Sequence, residues 1–114
     1  RLPETQRKYN EYLAEKRAGC AFCFTDGLER KVLRKYTHWY VTENLFPYDH
    51  IYAVNHMLVP FRHLTHSWEL NEAETSELME IRKELAEGCE YDELLENFPT
   101  TRTQMHYHMH LLAY

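Results

Sequence analysis

The chain has 114 residues, with 18 acidic against 13 basic side chains, a formal net charge of −5, 44% hydrophobic and 14% aromatic residues. That length supports one modest core and not two, and the aromatic content argues against a disordered chain. The acidic balance excludes a global positive field for nucleic acid, and no apolar run approaches the ~20 residues of a membrane span or resembles a secretory leader.

In chain order, Pro3 to Ala18 places a proline near the start, a series of strong helix formers and then Gly19. This predicts a peripheral N-terminal helix over residues 1–18, with only Tyr9, Tyr12 and Leu13 as an apolar stripe. Next come Cys20-Ala21-Phe22-Cys23. Three cysteines, an odd number, do not make a disulfide framework, so a metal knuckle in a reducing, cytoplasmic setting fits the pair better. The third thiol, Cys89, is read as a bystander at a helix end.

Asp26-Gly27 signals a turn, and Lys31–Lys35 followed by Thr37–Thr42 predicts an antiparallel hairpin. Residues 44–49 break the pattern as a loop, and Ile51 to Pro60 supplies a further strand stopped by proline. The longest helix is predicted from about Asn71 to Glu87, capped by Ser67 or Asn71, with Leu78, Met79, Ile81, Arg82 and Leu85 on its packing face and Gly88 as its stop. Tyr91 to Phe98 reads as another strand, weakened by Asp92 and Glu93, and a polar loop from Pro99 to Gln104 leads into the last one. The sum is an α+β domain over residues 19–114, an antiparallel sheet of about five strands carrying helices.

The last stretch is His106-Tyr107-His108-Met109-His110-Leu111-Leu112. Strict alternation predicts a strand with one imidazole face and one apolar face. Alternate side chains on a strand stand about 6.6 Å apart, a spacing that can span a phosphate group. A purification tag would lack the interleaved apolar residues, whereas a purely structural metal strand stays open, because histidine is a common zinc ligand. Catalysis is the sharper hypothesis.

His106-Tyr-His108-Met-His110-Leu-Leu resembles the pattern that names the histidine triad (HIT) superfamily of nucleotidyl hydrolases and transferases. Asn44-Leu-Phe-Pro47, Asn55-His56-Met-Leu-Val-Pro60-Phe-Arg-His63 and Trp68-Glu-Leu70-Asn-Glu-Ala-Glu74 are similar to successive blocks of HIT domains, in the right order. The resemblance implies cleavage at the α-phosphorus of a nucleoside phosphate derivative, a phosphoramidate or dinucleoside polyphosphate, through a covalent nucleotidyl-histidine. It assigns the nucleophile to His108 and a phosphate-donating role to His110. It also implies a structural zinc, held as in HIT proteins with an N-terminal Cys-x-x-Cys by Cys20, Cys23, His63 and His106.

By the same resemblance Asn44 lies at the ribose, Leu45 and Phe46 contribute to the base cleft, and Thr103 keeps the hydroxyl that contacts the α-phosphate. His56 corresponds to a position commonly histidine in the family and takes a structural role, His66 a solvated loop, and His38 and His50 no special one. Many family members carry Gly-Gln-Ser/Thr-Val before the triad, where this chain has Thr101-Arg102-Thr103-Gln104-Met105. Arg102 is a candidate for a bidentate phosphate contact, and the departure points to an unusual leaving group. It also motivates the alternative of a nucleotide-binding or scaffold HIT module with little turnover. The resemblance implies a homodimer acting on a nucleotide; a DNA-end deadenylating role is disfavoured by the acidic charge.

Overall fold

The computed structural model describes residues 2–8, 32–44, 52–98 and 106–114. A short helix α1 covers residues 3–8; the remainder of the predicted N-terminal helix lies outside the described residues. Strands β1 (Val32–Lys35) and β2 (Trp39–Glu43) form the expected antiparallel hairpin, closed by a Tyr36 N–H to Trp39 carbonyl bond of 2.8 Å. The backbone N–H groups of Thr37 and His38 at that turn donate to the Glu77 carboxylate at 3.2 and 2.7 Å, which docks the turn on the main helix.

Strand β3 (Val54–Pro60) pairs with β2, and β5 (Met109–Ala113) pairs with both β3 and the short β4 (Glu93–Leu95). All pairings are antiparallel, and the sheet order is β1-β2-β3-β5-β4. The predicted 91–98 strand shrinks to three residues, in keeping with the weak β-propensity of its acidic positions. The predicted histidine strand also begins later than its alternation suggests. His106 and His108 precede β5, and of the three histidines only His110 belongs to the ladder. The Tyr107 N–H instead bonds to the Leu64 carbonyl at 2.6 Å, joining this segment to the loop after β3.

The main helix α2 spans Glu72–Gly88. Asn71, one of the two predicted caps, accepts from the Glu74 N–H at 2.8 Å, and Glu74 returns the bond to the Asn71 N–H at 2.9 Å, a full capping box worth about 1 kcal/mol. Ser67 instead opens a 3₁₀ turn, Ser67–Glu69. Gly88 is not the stop: it is the last helical residue, and Cys89 takes the left-handed conformation with φ 55°. Leu78, Ile81 and Leu85 are buried, whereas Met79 and Arg82 are exposed. The 3.6-residue period turns positions 79 and 82 out of the stripe on which 78, 81 and 85 lie.

The sheet separates two layers. On the α2 side, Trp39, Val41, Leu58, Tyr107, Met109 and Leu111 pack with Leu64, Leu78, Ile81 and Leu85. At about 2 kcal/mol for each large side chain buried, this layer is the main source of stability. On the other side Tyr40, Met57 and Val59 form a smaller cluster with Val32 and Phe61. Met57 stands opposite His110, so alternation places the histidines on this second face, away from α2.

Candidate functional site

Three elements meet at the histidines: the end of β3 with its following loop, the segment leading into β5, and β5 itself. His106, His108 and His110 are 1%, 5% and 5% exposed. Buried polar groups persist only when hydrogen-bonded, and each ring has a partner that defines its protons. A carbonyl oxygen can only accept, so the 2.9 Å contact from His108 Nδ1 to the His106 carbonyl puts the proton on Nδ1. In the neutral ring the lone pair is then on Nε2. The amide oxygen of Asn55 likewise accepts from His110 Nδ1 at 3.2 Å. The rings of His108 and His110 meet edge to face, 5.2 Å apart.

His106 is turned elsewhere. Its Nε2 donates to the Pro60 carbonyl at 2.9 Å, which leaves Nδ1 with the lone pair, 3.1 Å from Nδ1 of His63. Burial pushes its pKa down to about 4, against the pull of the Pro60 carbonyl and with the added effect of His63 and His108, so the ring is neutral near pH 7. A neutral imidazole oriented by a carbonyl on its far nitrogen is the form in which histidine binds metal. Two nitrogens on one tetrahedral zinc, each at roughly 2.0–2.1 Å, stand about 3.3 Å apart, so the two histidines fit a shared ion. The other two expected ligands, Cys20 and Cys23, lie outside the described residues.

Asn44 closes β2, with its N–H donating to the Asn55 carbonyl at 3.2 Å, on the strand next to the one that carries Asn55. Leu45, Phe46, Arg102 and Thr103 lie outside the described residues. The structure thus brings together His63, His106, His108, His110 and, through Asn55, Asn44. Asn55 itself was not singled out in the sequence. Its signal was its place in a β3 pattern where every second residue, Asn55, Met57 and Val59, shares one buried face.

His56 and His66 are separate from this cluster, and His50 lies outside the described residues. His56 bonds Tyr91 Oη through Nδ1 at 2.7 Å, and burial lowers its pKa; it joins β3 to the segment before β4. His66, expected on a solvated loop, is half-buried and stacked on Trp68 at 4.3 Å.

The loop that carries His63 is anchored by its neighbour Arg62. That guanidinium donates to Glu74 at 3.2 Å from Nε and 2.8 Å from Nη2, and to the Glu69 carbonyl at 2.7 Å. Burial raises the Glu74 pKa, but the Arg62 bonds and the Asn71 N–H outweigh it and the net shift is downward.

No family model and no curated protein matches the chain. Solved structures do. An HIT family hydrolase from Clostridium thermocellum superposes with TM-score 0.67 at 22% identity, over 86% of this chain and 92% of that one. An HIT family hydrolase from Legionella pneumophila gives 0.65 at 20% identity, over 83% and 92%. A hypothetical histidine triad nucleotide-binding protein from Sulfolobus tokodaii gives 0.67 at 19% identity, over 82% and 68%. The fold is therefore that of the histidine triad proteins. Among the described residues no helix is long and apolar enough to cross a membrane.

Proposed function

We propose that this protein is a nucleotidyl hydrolase or transferase that cleaves a nucleoside phosphate derivative at its α-phosphorus. The observation that carries the reading is the His108 to His106 carbonyl bond, which fixes the ring tautomer and presents the Nε2 lone pair. The structural neighbours, two named as hydrolases and one as a nucleotide-binding protein, support it.

In the first step, Nε2 of His108 attacks phosphorus, a P–N bond forms, and the bond from phosphorus to the leaving group breaks, with the electron pair departing on that group. Water then attacks the nucleotidyl-histidine, the P–N electrons return to Nε2, and a nucleoside monophosphate leaves. The His106 carbonyl, accepting from Nδ1–H, stabilises the positive charge that the ring acquires while Nε2 is bonded to phosphorus. His110, packed against His108 on the same face, is the group that in its doubly protonated form donates Nε2–H to the phosphoryl oxygens while Nδ1–H stays on Asn55.

Cys20, Cys23, His63 and His106 would hold a zinc ion. A closed Cys₂His₂ set supplies a structural tie between the N-terminal arm, the loop after β3 and the segment before β5, and no chemistry on the substrate. Asn44, Leu45 and Phe46 would hold the nucleoside, and Arg102 and Thr103 the phosphate and leaving group. The protein acts as a homodimer in the cytoplasm on this reading.

The test is turnover of adenosine 5′-phosphoramidate or a dinucleoside polyphosphate by His108→Ala. Loss of turnover in a folded variant is expected, and full turnover would refute the mechanism.

A further inference from the structure

The face that carries His108 and His110 also carries a polar atom that the described protein does not satisfy. Asn55 is 6% exposed, and its Oδ1 accepts from His110 Nδ1 at 3.2 Å. Its Nδ2, also buried, has no hydrogen-bond partner among the described residues. An amide nitrogen carries two N–H donors, and burying them unpaired is unfavourable. Met57 and Val59, the next residues on this face, are apolar and avoid that penalty. Packing of the strand therefore does not account for an asparagine at this position.

The placement of the amide suggests what it serves. Asn55 stands opposite Leu112 on β5, two pairs along from the Met57–His110 pair and so on the same face, and on its other side its carbonyl receives the Asn44 N–H from the end of β2. The amide thus lies between the histidine pair and the residue expected at the ribose. The amide touches the His110 ring, with Oδ1 3.2 Å from Nδ1, so it borders the group that His110 holds. The missing partner must be an acceptor. A phosphoryl oxygen has no proton of its own, carries charge, and accepts several short hydrogen bonds at once, which suits a site where an imidazole and an amide converge.

We propose that Asn55 contacts the substrate: while its Oδ1 holds His110 by Nδ1–H, its Nδ2–H donates to a non-bridging oxygen of the phosphoryl group that His108 attacks. The inference rests on the nucleotidyl-transfer reading and extends it to a residue outside the triad. An asparagine here does two jobs that neither a leucine nor an aspartate performs together. Leucine has neither polar atom, and aspartate keeps the acceptor for His110 but replaces the donor with a negative charge.

The experiment compares the parent with Asn55→Asp and Asn55→Leu, measuring binding of AMP and of adenosine by calorimetry, with thermal melting to establish that each variant is folded. Both variants are expected to bind AMP at least tenfold more weakly, about 1.4 kcal/mol, while adenosine affinity stays within twofold of the parent. The split between the two probes is what a general structural defect would not produce. A folded variant that binds AMP as tightly as the parent overturns the proposal. Equal losses for AMP and adenosine overturn it as well, because they put Nδ2 at the nucleoside or reduce the residue to packing. If Asn55→Asp does not fold, Asn55→Leu alone decides by the same criterion. A parent that binds AMP alongside an unaffected variant refutes only the role of Asn55, whereas a parent that binds neither AMP nor adenosine removes the nucleotide reading and this inference with it.

Discussion

Replacing Arg62 by methionine tests the anchor behind His63. The Arg62 side chain is 49% exposed and the Glu74 side chain 3%, so the two ends of this ion pair respond differently to loss of the partner. Without Glu74 the guanidinium returns to water. Without Arg62 the carboxylate stays buried and loses two charge-assisted bonds, keeping only the Asn71 N–H. Breaking a buried pair from the side that strands the charge costs roughly 3–5 kcal/mol, and the surviving N–H bond and the helix N-terminus bring this to about 2–3. For a chain of this size that lowers Tm by on the order of 10 °C. Urea unfolding of parent and Arg62→Met at pH 7 and at pH 4 measures it. Because the folded Glu74 pKa lies below its ordinary value of 4.5, the Arg62 contribution is present above that value and fades as pH falls. The gap between the two proteins should therefore narrow at pH 4. A difference below about 0.5 kcal/mol at pH 7, the scale of ordinary surface substitutions, would refute the reasoning.

Further outcomes follow from the same geometry. Ile81→Ala and Leu85→Ala should each cost about 2–5 kcal/mol in urea unfolding, against almost nothing for the exposed Met79→Ala; similar losses at all three positions would contradict the assigned helix face. His56, and His106 in protein stripped of metal, have folded pKa values below 6.5, so the unfolded chain binds more protons as pH falls, and stability is full above about 6.5 and declines below it. In metal-free protein, where no zinc holds its Nδ1, His106 alone would contribute about 2 kcal/mol of loss between pH 6.5 and 5, and an unchanged urea midpoint of that protein over the interval would refute the assignment. If the proposed zinc is bound, a strong chelator should lower the melting temperature of the parent and leave His63→Ala unchanged. Metal analysis that finds no zinc in protein retaining Cys20 and Cys23 would remove the proposed ligand set.

Much of the architecture was legible because periodicity is a local signal. The hairpin at β1 and β2, the strand ending at Pro60 and the helix begun by Asn71 and Glu74 each carry their own pattern in the chain. Most of the misjudged points depend on partners distant in sequence. His106 and His108 alternate like strand residues, but the Leu64 carbonyl claims the Tyr107 N–H before the ladder begins. Gly88 looked like a stop because glycine tolerates positive φ, yet Cys89 adopts that conformation one residue later. Within the site, spacing made the three imidazoles equivalent, and only the carbonyls of Pro60 and His106 and the amide of Asn55 distinguish them. Asn55 was hidden for the same reason: nothing within β3 reveals that its amide meets a histidine 55 positions away.

The central claim is that His108 becomes covalently linked to the nucleotide. Its most direct measurement is mass spectrometry of protein quenched during turnover of adenosine 5′-phosphoramidate, with the modified peptide sequenced. One adenylyl group on His108, absent from His108→Ala and lost on standing in water, is the predicted result. Turnover without any adduct, or an adduct on His106 or His110 in its place, would contradict the account; binding without turnover or adduct would instead leave a nucleotide-binding module.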